Sequence, residues 1–277
     1  MTDPDWLVVR RGRAPLVLGM PHTGTDIPDD LAPRFVSQWR ARRDADWWID
    51  QLYDFAEALD ATIVRTRMSR SVIDVNRDPS GVSLYPGQAT TELCPTTTFD
   101  GEPLYLNGKA PDEAEIADRR ARWFDPYHAI LTSELTRLRT VHDRVVLYDC
   151  HSIRSHIPRL FDGELPQFNI GTNNGVTCDP AVADAVEREA AASGLSLIVN
   201  GRFRGGYTTR HHGHPETGVH AIQMELACRG YMAEPETPTE ANWPAPFDPT
   251  YAAPLAAHLN RILTACLNWA APGETQK

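Results

Sequence analysis

The chain has 277 residues, 42% of them hydrophobic and 23% charged, which is ample apolar material for one large domain spanning 1–277. Its 27 Lys and Arg against 37 Asp and Glu leave a formal charge of −10. That charge argues against nucleic-acid or anionic-membrane partners, which need clustered positive charge, but leaves room for a small anionic substrate held by a local group of Arg. No apolar stretch approaches the length of a membrane span. The N-terminus, Met-Thr-Asp-Pro-Asp, lacks the basic and then apolar pattern of a signal peptide. Cys94, Cys150, Cys178, Cys228 and Cys266 are scattered and form no C-x-x-C pair, so reduced thiols and a cytoplasmic protein are expected.

In chain order, Leu16-Val17-Leu18-Gly19 reads as a strand running into the loop Met20-Pro21-His22-Thr23-Gly24. Asp46 to Leu59 reads as a helix, because Trp48, Leu52, Phe55 and Leu59 share one face at helical spacing. Thr62 to Arg65 is a predicted strand, and Val72 to Val75 a second short extended piece. Tyr85 to Gly108 is rich in Thr, Pro and Gly and is expected to be a long functional loop. Asp112 to Arg139 is a predicted helix that Pro126 kinks or divides. Val145 to Tyr148 is a strand delivering Asp149-Cys150-His151, and Phe168 to Gly171 another. Pro180 to Ala192 is helical with Pro in its first turn. Strands at Leu197–Val199 and Ala221–Met224 and a closing helix from Tyr251 to Trp269 complete the pattern. No internal repeat or interdomain linker is visible. Strands alternating with helices predict an α/β fold with a mostly parallel central sheet and helices on both faces, with its site at the carboxyl ends of the strands.

The polar residues that follow the apolar runs are therefore the candidates. His22 and His151 each follow a strand and can converge at one sheet edge. Two imidazoles and a carboxylate satisfy zinc with its fourth position open. Asp46 can be that carboxylate, or it can simply cap the helix that begins there. Asp149, two residues before His151, can share its face and orient it. Glu225, at the end of a buried run, reads either as a general base or as a solvated residue past the sheet. Cys150 beside His151 reads as a small buried residue in preference to a nucleophile. His211-His212-Gly213-His214 lacks the spacing of a zincin site and is a weak metal signal. Two Arg-bearing segments, Met68 to Pro79 and Arg202 to His211, suit the bidentate grip of an anionic substrate.

The ordered set Pro21-His22-Thr23-Gly24, Asp44-Ala45-Asp46-Trp47, Asp74-Val75-Asn76-Arg77-Asp78-Pro79, Asp149-Cys150-His151-Ser152 and Asn200 to His211 resembles the N-formylglutamate deformylase (N-formylglutamate amidohydrolase) family of histidine degradation. The likeness runs from about residue 15 to 265. The family is in turn similar to zinc carboxypeptidase-like hydrolases, so the resemblance implies a zinc-exopeptidase-like, phosphorylase/hydrolase-like sheet. It also implies one metal ion, expected to be zinc, held by His22, Asp46 and His151. Asp74, Asn76 and Arg77 map onto the segment that holds a substrate carboxylate. The larger group places its carboxylate ligand three residues after the first His. Thr25 stands there in this chain, so the carboxylate must come from elsewhere.

The implied reaction is hydrolysis of N-formyl-L-glutamate to formate and L-glutamate. Glu225 would move the proton, Asn76 and Arg77 would hold one carboxylate, and Arg202, Arg204 or Arg210 the other. Two alternatives remain at this level: a hydrolase of another N-acyl amino acid or amide, and a dicarboxylate-binding protein without turnover.

Overall fold

The computed structural model describes residues 3–84, 87 and 90–271. Seven strands form one sheet: β1 (Leu7–Arg10), β2 (Leu16–Met20), β3 (Thr62–Thr66), β4 (Val145–Ile153), β5 (Phe168–Gly171), β6 (Leu197–Val199) and β7 (Val219–Ala227). Their order is β1-β3-β2-β4-β7-β5-β6. The four pairings β2–β3, β2–β4, β4–β7 and β5–β6 are parallel, whereas β1–β3 and β5–β7 are antiparallel. The sheet is therefore mostly parallel, as expected, and its central strands are apolar runs because both faces are covered.

Among the described residues there are seven α-helices: α1 (Gln38–Arg42), α2 (Ile49–Leu52), α3 (Glu113–Arg119), α4 (Asp125–Arg139), α5 (Pro180–Ala191), α6 (Tyr207–His212) and α7 (Pro249–Ala270). Side chains alternate along each strand, so each strand feeds both layers. Val17, Val64, Val145 and Leu147 pack on Tyr127, Leu131, Leu135 and Leu138 of α4. Leu16, Leu18, Val146 and Tyr148 pack on the opposite side with Val182 and Val186 of α5 and Leu255, Leu259, Ile262 and Leu263 of α7. Each fully buried Leu or Val contributes roughly 1.5–3 kcal/mol of transfer free energy, and the two layers together hold the strand ends in fixed register. No described helix is long and apolar enough to cross a membrane.

Three expectations change. Asp46 to Leu59 is not one helix: α2 covers four residues and a 3₁₀ turn follows at Asp54–Glu57. Trp48 takes a left-handed conformation, φ 64°, which breaks the helix before it starts. The apolar face survives, because Leu52 is buried with Trp48, Phe55 and Leu59 packed around the same core. Val72 to Val75 is a buried turn, with Val72 N–H donating to Ser69 O at 2.9 Å and Asp74 N–H to Leu93 O at 2.7 Å. Its apolar residues fill the core from a loop. Asp112 caps α3 by accepting from Glu115 N–H at 2.9 Å. A π-helical stretch at Arg120–Phe124 then joins α3 to α4, absorbing the proline expected to divide the helix. The long loop from Tyr85 to Gly108 is seen where it is described; Tyr85, Pro86, Gln88 and Ala89 lie outside the described residues.

Candidate metal centre and active site

Three strands deliver the polar side chains to one edge. His22 lies two residues past β2, His151 sits within β4, and Glu225 sits within β7. His151 and Glu225 are direct partners across the parallel β4–β7 pair. Asp46 arrives from the loop between α1 and α2, whose main chain is tied to the first histidine by Asp46 N–H donating to His22 O at 2.9 Å. Aromatic side chains pin that loop from outside: Tyr231 OH donates to Trp47 O, Trp48 Nε1 to Ala245 O and Trp243 Nε1 to Arg43 O, each at 2.8 Å. The Asp46 side chain does not cap α2. It turns inward instead, 1% exposed, which removes the capping alternative.

Asp46 Oδ2 is 3.0 Å from His151 Nδ1 and 3.6 Å from His22 Nδ1, and the two rings lie 4.8 Å apart between centroids. The far nitrogen of each ring meets a second carboxylate: His22 Nε2 is 2.7 Å from Asp74 Oδ1, and His151 Nε2 is 3.1 Å from Asp149 Oδ2. At His22 a carboxylate on Nε2 holds the proton there and leaves the Nδ1 lone pair to a cation. His22 Nδ1 is buried and has no hydrogen-bond partner among the described residues, so its lone pair is available to an ion. One donor atom from each of His22, Asp46 and His151 lies within 4.8 Å of the others, and this trio can hold a metal ion. Burial drives the Asp46 carboxyl up, but His22 and His151 outweigh it and leave the group below its ordinary value. Burial pulls His151 down, and Asp149 and Asp46 outweigh it, holding the imidazole well above its ordinary value.

Glu225 is 6% exposed. Burial pushes its carboxyl up to about 7, against the opposing pull of His151. A carboxyl poised there exchanges protons easily at neutral pH. Gln223 Nε2 donates to its Oε2 at 3.2 Å.

His22, His151, Glu225, Gln223, Asn76, Arg70, Arg77 and Arg202 line one cavity, with an apolar wall of Phe99, Ile153, Leu160 and Phe203. Arg77 reaches it while donating through Nε and Nη2 to Thr91 Oγ1 at 3.2 and 3.1 Å. Arg202 reaches it from the opposite loop, with Nε donating to Leu160 O at 2.9 Å. Arg204 and Arg210 are not in that lining: their Nε groups donate to Gly201 O and Gly205 O within their own loop. Asn76 is enclosed by protein, its Nδ2 3.0 Å from His151 Nε2 and its Oδ1 accepting from Thr208 N–H at 2.8 Å.

Gln223 carries no role in the sequence reading, and Arg70 appears there only as part of an Arg-bearing segment suited to an anionic substrate. Arg70 is buried, donates through Nη2 to Asp74 Oδ2 at 2.7 Å, and lies 3.5 Å from Asp46 Oδ1. Its signal is faint, because its position four residues before Asp74 matters only once the turn is known. Gln223 had a visible signal: a polar residue two before Glu225 in a buried strand must share its face. Cys150 points into the core, and burial drives its thiol well up, so it is no nucleophile.

The chain has known relatives. Residues 14–232 match the family model described as N-formylglutamate amidohydrolase. The chain is 46% identical over 268 residues to the N-formylglutamate deformylase of Pseudomonas aeruginosa, covering 95% of this chain and 96% of that one. It is 45% identical over 266 residues to the N-formylglutamate deformylase of Pseudomonas putida, covering 96% and 97%. The crystal structure of N-formylglutamate amidohydrolase from Ralstonia eutropha JMP134 shares the fold, with a TM-score of 0.77 at 23% identity over 95% of this chain and 98% of that one. Motifs that are individually weak thus occur in the order, over the length and on the sheet that the resemblance implied, and the chain belongs to the N-formylglutamate amidohydrolase family.

Proposed function

We propose that this protein hydrolyses N-formyl-L-glutamate to formate and L-glutamate, using one zinc ion held by His22, Asp46 and His151. The observation that carries the reading is the trio itself: two buried imidazoles turn Nδ1 toward one carboxylate, each backed on Nε2 by another, with Glu225 in the adjacent strand. Two nitrogens and one oxygen form the donor set of catalytic zinc, and zinc bound there would make water more acidic and polarise the formyl carbonyl.

Glu225 accepts a proton from the attacking water as its oxygen bonds to the formyl carbon. It then delivers that proton to the glutamate nitrogen as the carbon–nitrogen bond breaks. Arg70, held by Asp74, adds positive charge where the oxyanion develops. Arg77 binds one substrate carboxylate and Arg202 the other, with the apolar wall against the methylenes between them. Asn76 holds the His151 side of the site. Arg204 and Arg210 serve the loop that carries Arg202. Family membership supports a place in histidine degradation, and five free cysteines support a reducing, cytoplasmic setting.

The test is formate release from N-formyl-L-glutamate by purified protein, after chelation and after zinc is restored. Loss and recovery are expected. Full activity in metal-free protein would overturn the metal-dependent reading, and no formate under any loading would overturn the substrate.

A further inference from the structure

We infer that Gln223 is a positioning residue for Glu225, fixing the proton-carrying carboxylate by tying it to the loop that bears Arg202. This rests on the proposed role of Glu225. Gln223 is 3% exposed and lies two residues before Glu225 on β7, so both side chains leave the same face of the sheet. Its amide spans two elements. Oε1 accepts from Gly206 N–H at 2.7 Å, and Nε2 donates to Glu225 Oε2 at 3.2 Å. The orientation of the amide follows from chemistry: a backbone N–H can only donate, so the oxygen must face Gly206 and the NH2 group must face the carboxylate.

The contact demands close approach, and the sequence permits it. A Cβ at position 206 would stand 2.4 Å from Asn76 Nδ2, and one at Gly171 would stand 2.6 Å from Gly205 N. Both positions are glycine, so the loop can settle onto β5 and β7. Thr208 N–H donates to Asn76 Oδ1 and Tyr207 N–H to Asn76 O, locking the far side of the same loop. The amide is therefore held at both ends. One oxygen of Glu225 is held, and its rotation is restricted before substrate arrives. A carboxylate that must first take a proton from water and then release it to nitrogen gains from such a fixed direction.

The experiment compares Gln223→Glu, Gln223→Met and Glu225→Gln in zinc-loaded protein, reading kcat, KM, metal content and directly measured substrate binding. Gln223→Glu keeps an acceptor for Gly206 N–H but loses the donor to Glu225. Gln223→Met is close in size and loses both bonds. Each is expected to lower kcat at least about tenfold, with metal content full and, for the neutral Gln223→Met, substrate binding within about threefold of the parent. In the Glu225→Gln background, Gln223→Met should change kcat by no more than about twofold, because the partner it positions is gone.

A parental kcat in both Gln223 variants, a loss confined to KM, or a full additive loss in the double variant would overturn the role of Gln223 alone. A parental kcat in Glu225→Gln would overturn the reading of Glu225 and this inference with it. If Gln223→Met fails to fold, Gln223→Glu decides the question on kcat and on the double variant with Glu225→Gln.

Discussion

The protein holds two histidine clusters, each built on a buried pair, one on either side of the segment Asp74-Val75-Asn76, with opposite electrostatics. On one side, His22 and His151 are surrounded by Asp46, Asp74 and Asp149. On the other, His128 Nδ1 lies 3.0 Å from His212 Nε2, His128 Nε2 meets Val75 O at 2.7 Å, and His211 packs edge-on against both rings. Three residues serve both: Asp74 reaches His22, the Val75 carbonyl reaches His128, and Asn76 reaches His151. Carboxylates hold His151 well above its ordinary pKa, whereas burial pushes His128 down to about 3 and His212 down to about 2. Carboxylates around the first pair favour a cation there, whereas the second pair meets other imidazoles and a backbone carbonyl. The count of histidines is a poor guide, and His211-His212-Gly213-His214 is the richer motif in the poorer site.

The largest expected difference is in metal content. His22→Ala, His151→Ala and Asp46→Ala should each lose the ion and bring formate release to background. His212→Gln should keep a full metal complement by elemental analysis. Metal retained in any of the first three, or lost in the last, would break the contrast.

Next is Glu225→Gln, expected to keep its metal and substrate but turn over at least about a hundredfold more slowly. Below that comes Asp74→Asn. Its carboxylate touches no substrate in this reading but fixes the proton of His22, so metal affinity should weaken about 10- to 100-fold without the site being abolished. A competition titration against a chelator measures this directly. Unchanged affinity would mean that the ring is oriented without the Asp74 carboxylate.

The two clusters were unequally legible. His22, His151 and Glu225 stand out because a parallel sheet gathers the carboxyl ends of its strands, and the runs Leu16–Met20, Val145–Ile153 and Val219–Ala227 are apolar enough to be seen. Asp46 was ambiguous from the residues alone, since a helix cap and a ligand look identical until Trp48 is known to turn left-handed; the family resemblance favoured the ligand reading. β1 escaped the sequence reading, being a short edge strand that is only partly buried. The π turn before Pro126 and the buried turn at Val72 to Val75 depend on tertiary packing that local pattern does not encode. Arg70 and the pairing of His128 with His212 join residues brought together only by the fold. The cavity lining separates Arg202 from Arg204 and Arg210, which sequence had grouped by proximity.

The smallest expected effect on catalysis lies at the second cluster, where it appears in acid stability instead. Both folded pKa values, about 3 for His128 and about 2 for His212, lie below the ordinary 6.5. Between those limits the unfolded chain binds protons that the folded chain refuses, so stability rises with pH across this window and is fully present above about 6.5. As pH falls below 6.5, each group withdraws up to ~1.4 kcal/mol per pH unit. Burial is the first cause for both, with His211 adding repulsion to each. His212→Gln removes one of the two titrating rings and gives His128 Nδ1 a neutral amide that can donate to the neutral ring and accept from the protonated one. The variant should therefore lose less stability than the parent between about pH 7 and about pH 5 in urea unfolding, while kcat near neutral pH stays at the parental value. An identical pH dependence in the two proteins would show that the acid sensitivity arises elsewhere, and His220, whose ring burial also holds below its ordinary value, would be the next place to look.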